Sequence, residues 1–135
     1  MLETIKEIAE LSDPVFVGGV ASVFNGYRKD WSEVKDIDIV IPILKGFKDV
    51  KIKSVKTVFD IGKRRGITYL NGYMIDIFLT TLKPYHVNTI EIDGVTIRYI
   101  NKKGQKEYYS KVIRKSSGRI KEKLLTKYKN ELNYI

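Results

Sequence analysis

The stretch KDIDIVIP, residues 35–42, places two acids inside what is otherwise an apolar strand. Its run of isoleucine and valine from Ile37 predicts a buried β-strand that ends at Pro42. Because side chains alternate between the two faces of a strand, Asp36 and Asp38 share one face and the isoleucines share the other. Aspartate is unfavourable in strands and costly to bury without a partner. The two acids therefore need an explanation other than packing.

A second acid-bearing strand follows in ITYLNGYMIDIFL, residues 67–79. Asn71-Gly72 between two apolar runs predicts a β-hairpin with a two-residue turn, because both residues tolerate a positive φ. The second strand of this hairpin carries Asp76 between isoleucines. If it lies beside the first acidic strand, all three aspartates meet on one face of the sheet.

Three carboxylates at one place in a partly desolvated sheet repel one another, and a divalent cation relieves that repulsion. Oxygen ligands without His or Cys favour Mg²⁺ or Mn²⁺ over zinc. The alternative is that each aspartate pairs with one of the many Lys and Arg residues. For a single aspartate the ion pair is the better explanation, and for Asp36, Asp38 and Asp76 together the metal is.

The segment VFVGGVAS, residues 15–22, predicts a strand, a glycine pair and then a helix. This order presents free backbone N–H groups to an anion, and Gly18 and Gly19 let a phosphate approach the backbone closely. Ser22 adds a hydroxyl one turn into the helix. The alternative is an ordinary tight turn, and the phosphate site is favoured because the segment precedes the aspartate pair.

The rest of the chain is typical of one α/β domain spanning residues 1–135. Its 135 residues are 43% hydrophobic and include no cysteine, so neither a disulfide framework nor a thiolate zinc site is expected. The N-terminus predicts an amphipathic helix and not a signal peptide, and no run is apolar enough to span a membrane. We therefore expect a cytoplasmic protein without a membrane partner. The sequence leaves its oligomeric state open.

The predicted element order alternates helices and strands. It comprises a helix over 2–11, a strand over 15–17, a helix from 20 to 27, the acidic strand, a strand over 53–60, the hairpin, a strand over 95–100, and one or two helices from about residue 104. The predicted core contacts of the last helices are Tyr108, Tyr109, Val112, Ile113, Ile120, Leu124, Leu125, Tyr128 and Leu132. The only histidine, His86, is predicted at the surface or in a turn, which leaves little basis for histidine catalysis.

The net charge is +9, and the excess is concentrated between residues 99 and 135. This region is either a solvated helical face or a surface for polyanions such as RNA. The residues considered for RNA contact are Lys111, Arg114, Lys115, Arg119 and Lys121. A second basic group, Lys63-Arg64-Arg65, precedes the hairpin; it is either a solvated turn or, near Asp76, a contact for phosphate.

Taken together, GGVAS, the helix ending in Gly26-Tyr27-Arg28, DIDIVI and MIDIFL resemble the DNA polymerase β-type nucleotidyltransferase superfamily. The glycine pair and the small size are most similar to its stand-alone abortive-infection and minimal members. The tail, with Lys111 and then Gly118-Arg119-Ile120-Lys121, is similar to the family's C-terminal helical segment. The resemblance implies a mixed sheet that carries the acidic site, with helices packed on it. Unlike many relatives, this chain lacks a serine two residues before the first aspartate.

The resemblance also implies roles for individual residues. Asp36 and Asp38 match the acids that hold two metal ions, and Asp76 matches the acid that binds the catalytic metal. The phosphate loop is matched by Gly18 and Gly19. Basic residues that neutralise triphosphate or acceptor charge are matched by Arg28 and Lys111.

Two functions of different class follow from this reading. The first is a metal-dependent enzyme that moves a nucleoside monophosphate from an NTP to a hydroxyl of an RNA end, a protein or a small molecule. The second is a non-catalytic binding module or antitoxin-type partner with the same fold. An intact set of mutually repelling acids favours the enzyme.

Overall fold

The computed structural model describes residues 1–42, 58–60 and 64–132. These residues form four α-helices and seven β-strands, so the predicted α/β class is confirmed. In chain order the elements are α1 Leu2–Ser12, β1 Val15–Val17, α2 Gly18–Phe24, β2 Ile37–Pro42, β3 Val58–Asp60, β4 Arg65–Leu70, β5 Tyr73–Thr80, β6 Val87–Ile92, β7 Val95–Ile100, α3 Lys102–Lys115 and α4 Gly118–Leu132. None of the helices in the described ranges is long and apolar enough to cross a membrane.

The strands join into one mixed sheet in the order β3-β4-β5-β2-β1-β7-β6. The pairs β2–β5 and β1–β7 are parallel, and the other neighbouring strands are antiparallel. The two acid-bearing strands, β2 and β5, are therefore direct neighbours near the centre of the sheet, and they run in the same direction.

The apolar face of these two strands forms the main core. Ile37 and Ile39 of β2 and Ile75 and Ile77 of β5 are completely buried. They belong to one cluster with Ile5 and Ile8 of α1, so the amphipathic N-terminal helix covers this face of the sheet. Packing on one face and acids on the other follow the predicted alternation along β2.

Two hairpins have turns of the same type, and only one of them was predicted. At the predicted turn, Asn71 and Gly72 have φ of 53° and 82° and join β4 to β5. The other turn is Asp93-Gly94, with φ of 51° and 77°, and joins β6 to β7. The sequence analysis missed β6, although Asp-Gly between apolar residues is the same hairpin signal.

The helix that was predicted to follow the glycine pair includes that pair. It begins at Gly18 and ends at Phe24, so it starts two residues before the predicted start and ends three residues before the predicted end at Tyr27. Past this end the Asn25 side chain turns inward, where its amide donates to the Ile100 carbonyl at 3.0 Å and to Gln105 Oε1 at 2.8 Å. Of the strand predicted over 53–60, Val58–Asp60 is β3 and the remainder lies outside the described residues.

The C-terminal helices form a second, smaller core. Tyr109 and Ile113 of α3 pack with Tyr128 of α4, and the two tyrosine rings stack with their centroids 3.8 Å apart. The predicted core role of three other residues, one on α3 and two on α4, is wrong, because each of these helices buries only a narrow face. Exposed fractions of 43%, 66% and 39% are found for Tyr108, Ile120 and Leu125.

Candidate active site

The register of β2 and β5 brings two of the aspartates side by side. Asp38 pairs directly with Asp76 across the parallel strands. Neighbouring strands lie about 4.8 Å apart, and paired residues point to the same face of a sheet. Asp36 directly precedes β2, is exposed, and lies close enough for its charge to act on Asp38. Asp38 and Asp76 are therefore direct neighbours on one face of the sheet, and Asp36 lies near Asp38.

This grouping changes the ionisation of Asp38. Burial has the largest effect, and the negative charges of Asp76 and Asp36 add to it; together they raise the pKa of Asp38 to about 7. The positive charges of Arg65 and Lys127 act in the opposite direction but do not cancel the rise. Asp38 therefore ionises less readily than an ordinary aspartate, and a nearby positive charge would favour its ionised form.

Arg65 of β4 forms an ion pair with the most buried of the three acids. Its Nε and Nη2 both donate to Asp76 Oδ1, at 3.2 and 2.8 Å. The guanidinium carbon also lies 5.3 Å from the centre of the Phe78 ring. The ion-pair alternative considered for a single aspartate thus applies to Asp76. The pairing follows from the hairpin register, which places Ile67 opposite Asp76 and Arg65 two residues further along the same face.

Gly18 fits against Asp38 in a way that no other residue would. Its φ is +57°, and a Cβ built on it would collide with Asp38 Oδ2. The backbone where β1 passes into α2 therefore lies directly against the carboxylate. A Cβ on Gly19 would lie 3.0 Å from Arg28 Nη1, so the glycine pair connects the acids to a basic side chain.

Asp38, the glycine pair and Arg28 line a cavity of about 420 Å³. This volume is within the range of small-molecule sites in proteins. Its lining includes Asp36 and Asp38, the glycine pair, and positive charge from Arg28, Lys35 and Lys127. Acids on one side and basic groups around them suit a ligand that carries both phosphates and a divalent cation.

The other predicted site residues divide between this cavity and other places. Arg28 lines it, and its Nη1 donates to the Glu33 carbonyl at 2.7 Å. Ser22 does not reach it, because it is completely buried and accepts a 2.7 Å hydrogen bond from Gln105 Nε2. Lys111 lines a separate small cavity beside His86, which is buried and lies in the turn Pro84–His86, one of the two positions predicted for it.

Two lining residues, Tyr108 and Lys127, were missed by the sequence analysis. Tyr108 was assigned to the core because of its helical spacing, and Lys127 was one basic residue among many. Neither residue belongs to a local sequence pattern that would indicate a role in the site. Lys127 reaches the cavity because the stack of Tyr109 and Tyr128 holds α4 against α3.

The donor set suits a hard divalent cation, although the acids do not enclose one as they stand. Within the described part of the chain, no three acids, His or Cys already converge on a metal position. Asp38 and Asp76 are nevertheless adjacent carboxylates in a partly buried place, and the Arg65 guanidinium stands in as a cation on Asp76. Oxygen ligands of this kind bind Mg²⁺ and Mn²⁺.

No protein-family model matches the chain, and no curated protein matches it significantly. Solved structures do match, among them the following three. A candidate nucleotidyltransferase from Thermotoga maritima is 18% identical with a TM-score of 0.60, over 96% of this chain and 91% of its own. The polyadenylate synthase of Megavirus is 20% identical with a TM-score of 0.61, over 97% of this chain and 30% of its own.

The third is an antigenic nucleotidyltransferase-like protein from Paracoccidioides brasiliensis. It is 13% identical with a TM-score of 0.53, over 96% of this chain and 73% of its own. Similarity at these identities concerns the fold, and the activity has to be argued from the residues of the site. The sheet, the placement of the acids and all three matches agree: this chain has the nucleotidyltransferase fold.

Proposed function

We propose that the protein is a nucleotidyltransferase that moves a nucleoside monophosphate from an NTP to an acceptor hydroxyl. The observation that carries this proposal is the pairing of Asp38 with Asp76 beside a cavity lined by basic side chains. In the reaction, the acceptor oxygen bonds to the α-phosphorus while the bond from that phosphorus to the leaving oxygen breaks. Pyrophosphate is released.

Asp36, Asp38 and Asp76 would hold one or two Mg²⁺ or Mn²⁺ ions. When bound, these ions supply positive charge to the phosphates and lower the pKa of the attacking hydroxyl. The carboxylates themselves fix the positions of the ions, because two of the three acids lie on rigid, hydrogen-bonded strands. Little covalent chemistry is asked of the protein, so positioning and electrostatics determine the rate.

The triphosphate would lie along the glycine pair. Gly18 and Gly19 offer backbone without side chains beside the acids, and Arg28 and Lys127 offer positive charge in the lining of the same cavity. Lys127 takes the role that the family resemblance gave to Lys111. Tyr108 lines the cavity and is 43% exposed as a residue, so its ring is a candidate surface on which a nucleobase can stack.

The electrostatics of the acids favour an enzyme over a non-catalytic binding module. A pKa of about 7 at Asp38 reflects burial of the carboxyl first, and then the like charges of Asp76 and Asp36 beside it. A module that only keeps the fold has no need of this arrangement. A protein that binds a cation together with a triphosphate does.

RNA is the acceptor that the charge distribution favours. The exposed basic residues of α3 and α4 include the five considered above, Lys111, Arg114, Lys115, Arg119 and Lys121. These helices also supply Lys127 and Tyr108 to the cavity wall. An RNA backbone that follows the helices would end close to the acids.

The direct test is transfer of label from each α-³²P-labelled NTP in Mg²⁺ or Mn²⁺, with total RNA or protein extract as acceptor. We expect labelled RNA from the wild type and about 10²–10³-fold less from Asp38→Asn. Glu91→Gln, an equivalent change at an exposed position on the edge strand β6, is the matched control and should retain transfer. Labelled protein would move the acceptor from RNA to a side chain. No labelled product with any NTP and either extract would overturn the proposal.

A further inference from the structure

We propose that Arg65 is a positioning residue that couples metal binding to nucleotide binding. Before a nucleotide binds, the guanidinium of Arg65 holds Asp76; when a nucleotide binds, the guanidinium transfers to a phosphate and leaves the carboxylate to the metal. This inference rests on the proposed function. It adds an order to that function, in which the cation binds tightly only together with the nucleotide.

The first observation is the asymmetry of the ion pair. The Asp76 side chain is 9% exposed and belongs to a central strand, whereas the Arg65 side chain is 46% exposed. Both hydrogen bonds from Arg65 end on the same oxygen, Oδ1. The acid is therefore fixed by the sheet, and the guanidinium approaches it from the solvent side. Of the two partners, Arg65 is the one that can move.

The second observation is where Arg65 can move to. Its guanidinium carbon lies 5.3 Å from the centre of the Phe78 ring, and Phe78 lines the acidic cavity. A shift across this ring takes the guanidinium towards the cavity while it keeps its contact with the aromatic face. The planar guanidinium can bind a phosphate through two parallel hydrogen bonds, just as it binds a carboxylate.

The third observation is the balance of charge. A divalent cation placed on Asp76 while Arg65 remains there would add two positive charges beside a third. Repulsion between the cation and the guanidinium weakens metal binding when no nucleotide is bound. A nucleotide triphosphate supplies negative charge for the guanidinium, so it removes the competitor and adds ligands for the metal at the same time.

The experiment measures Mn²⁺ and nucleotide binding separately, in the full chain. Mn²⁺ affinity is measured by titration calorimetry without nucleotide, and the affinity for an α,β-methylene NTP analogue is measured at saturating Mn²⁺. For Arg65→Gln we expect Mn²⁺ alone to bind about tenfold more tightly and the analogue to bind about tenfold more weakly. Coupling between two ligands is a difference of binding free energies, so both shifts reduce it.

Arg64→Gln is the matched control. It makes the same charge change one residue away, at a side chain that is exposed, and should leave both affinities within about twofold of wild type. If Arg65→Gln fails to fold, Arg65→Lys replaces it. A lysine keeps the charge but cannot make the paired hydrogen bonds to Oδ1, so the Mn²⁺ affinity should still rise above that of the wild type.

Two results separate failure of this inference from failure of the proposed function. If the wild type binds Mn²⁺ with the analogue, and Arg65→Gln leaves Mn²⁺ binding unchanged or weaker, the coupling role of Arg65 is overturned and the enzyme remains. If the wild type binds neither Mn²⁺ nor the analogue, even together, the proposed function fails and this inference fails with it.

Discussion

The centre of the sheet and the C-terminal helical pair contribute to the same cavity from very different structural settings. Asp38 and Asp76 lie on strands whose opposite face belongs to the main core, and that core extends from α1 to β7. Tyr108 and Lys127 lie on two helices whose shared core, among the residues with described side chains, has three buried members. The first setting fixes atoms where the proposed reaction needs them. The second offers charge and aromatic surface at the cavity wall, so we expect changes in the two regions to affect rate and binding separately.

The largest expected effect is on the rate, in the sheet. Asp38→Asn and Asp76→Asn should each lower transfer by about 10²–10³-fold, the scale of losing one electrostatic contact with the reacting charge. The NTP concentration at half-maximal rate should change much less. Steady-state kinetics measure both quantities, and Asp36→Asn should follow the same pattern with little change in stability. A loss confined to KM would remove the distinction between the two regions.

The next effect concerns stability and pH, again in the sheet. Asp38 has a folded-state pKa of about 7 against an ordinary value of 3.8. The folded protein therefore holds this proton more tightly than the unfolded chain, and the stability due to this group is lost as the pH rises from about 4 to about 7. In EDTA, the melting temperature should fall more over this range for the wild type than for Asp38→Asn. Parallel curves for the two proteins would contradict the raised pKa.

A smaller effect is expected where α2 meets the acids. Gly18→Ala places a Cβ at a positive φ and against Asp38, whereas Gly26→Ala meets the same unfavourable φ, +81°, in open space. Gly26→Ala should cost about 1–2 kcal/mol of unfolding free energy. Gly18→Ala should cost more, and it should also lower transfer. Equal losses in urea denaturation would mean that the close approach to Asp38 has no energetic consequence.

The same contrast explains what the sequence could predict. The alternation of side chains along a strand predicts the apolar and acidic faces of β2, and Asn71-Gly72 predicts the hairpin. Both predictions succeed because they depend only on neighbouring residues. The partner of Asp76 needed one more step, which was to count the hairpin register back to Arg65. The part of the cavity wall that α3 and α4 form could not be predicted from the sequence. Lys127 approaches the acids only because α4 docks through the stacked tyrosines, and no local pattern specifies that packing.

In the helices, the expected effect is on substrate binding. Lys127→Gln should raise the KM for the NTP about tenfold, as for the loss of one charge-assisted contact of about 1.5 kcal/mol, and should leave kcat within about twofold. Lys111→Gln is the matched control, because Lys111 is also exposed but lines a different cavity. The reverse result, with Lys111 dominant, would return the phosphate contact to the residue that the family resemblance indicated.

The smallest effect concerns the basic surface of α3 and α4 and its affinity for RNA. If Lys111, Arg114, Lys115, Arg119 and Lys121 each contact a phosphate, the slope of log affinity against log salt for single-stranded RNA should be roughly −3 to −4, because each contact releases condensed counterions. Removing two contacts by Arg119→Glu and Lys121→Glu should reduce the slope to about −2. Binding of the NTP analogue in Mn²⁺ is the internal control and should stay unchanged, because neither residue lines the acidic cavity. Fluorescence anisotropy with a labelled oligonucleotide over a range of salt concentrations measures the slope.

If no RNA binds at low salt, these charges only solvate the helices or bind an acidic protein, and the acceptor has to be sought among proteins or small molecules.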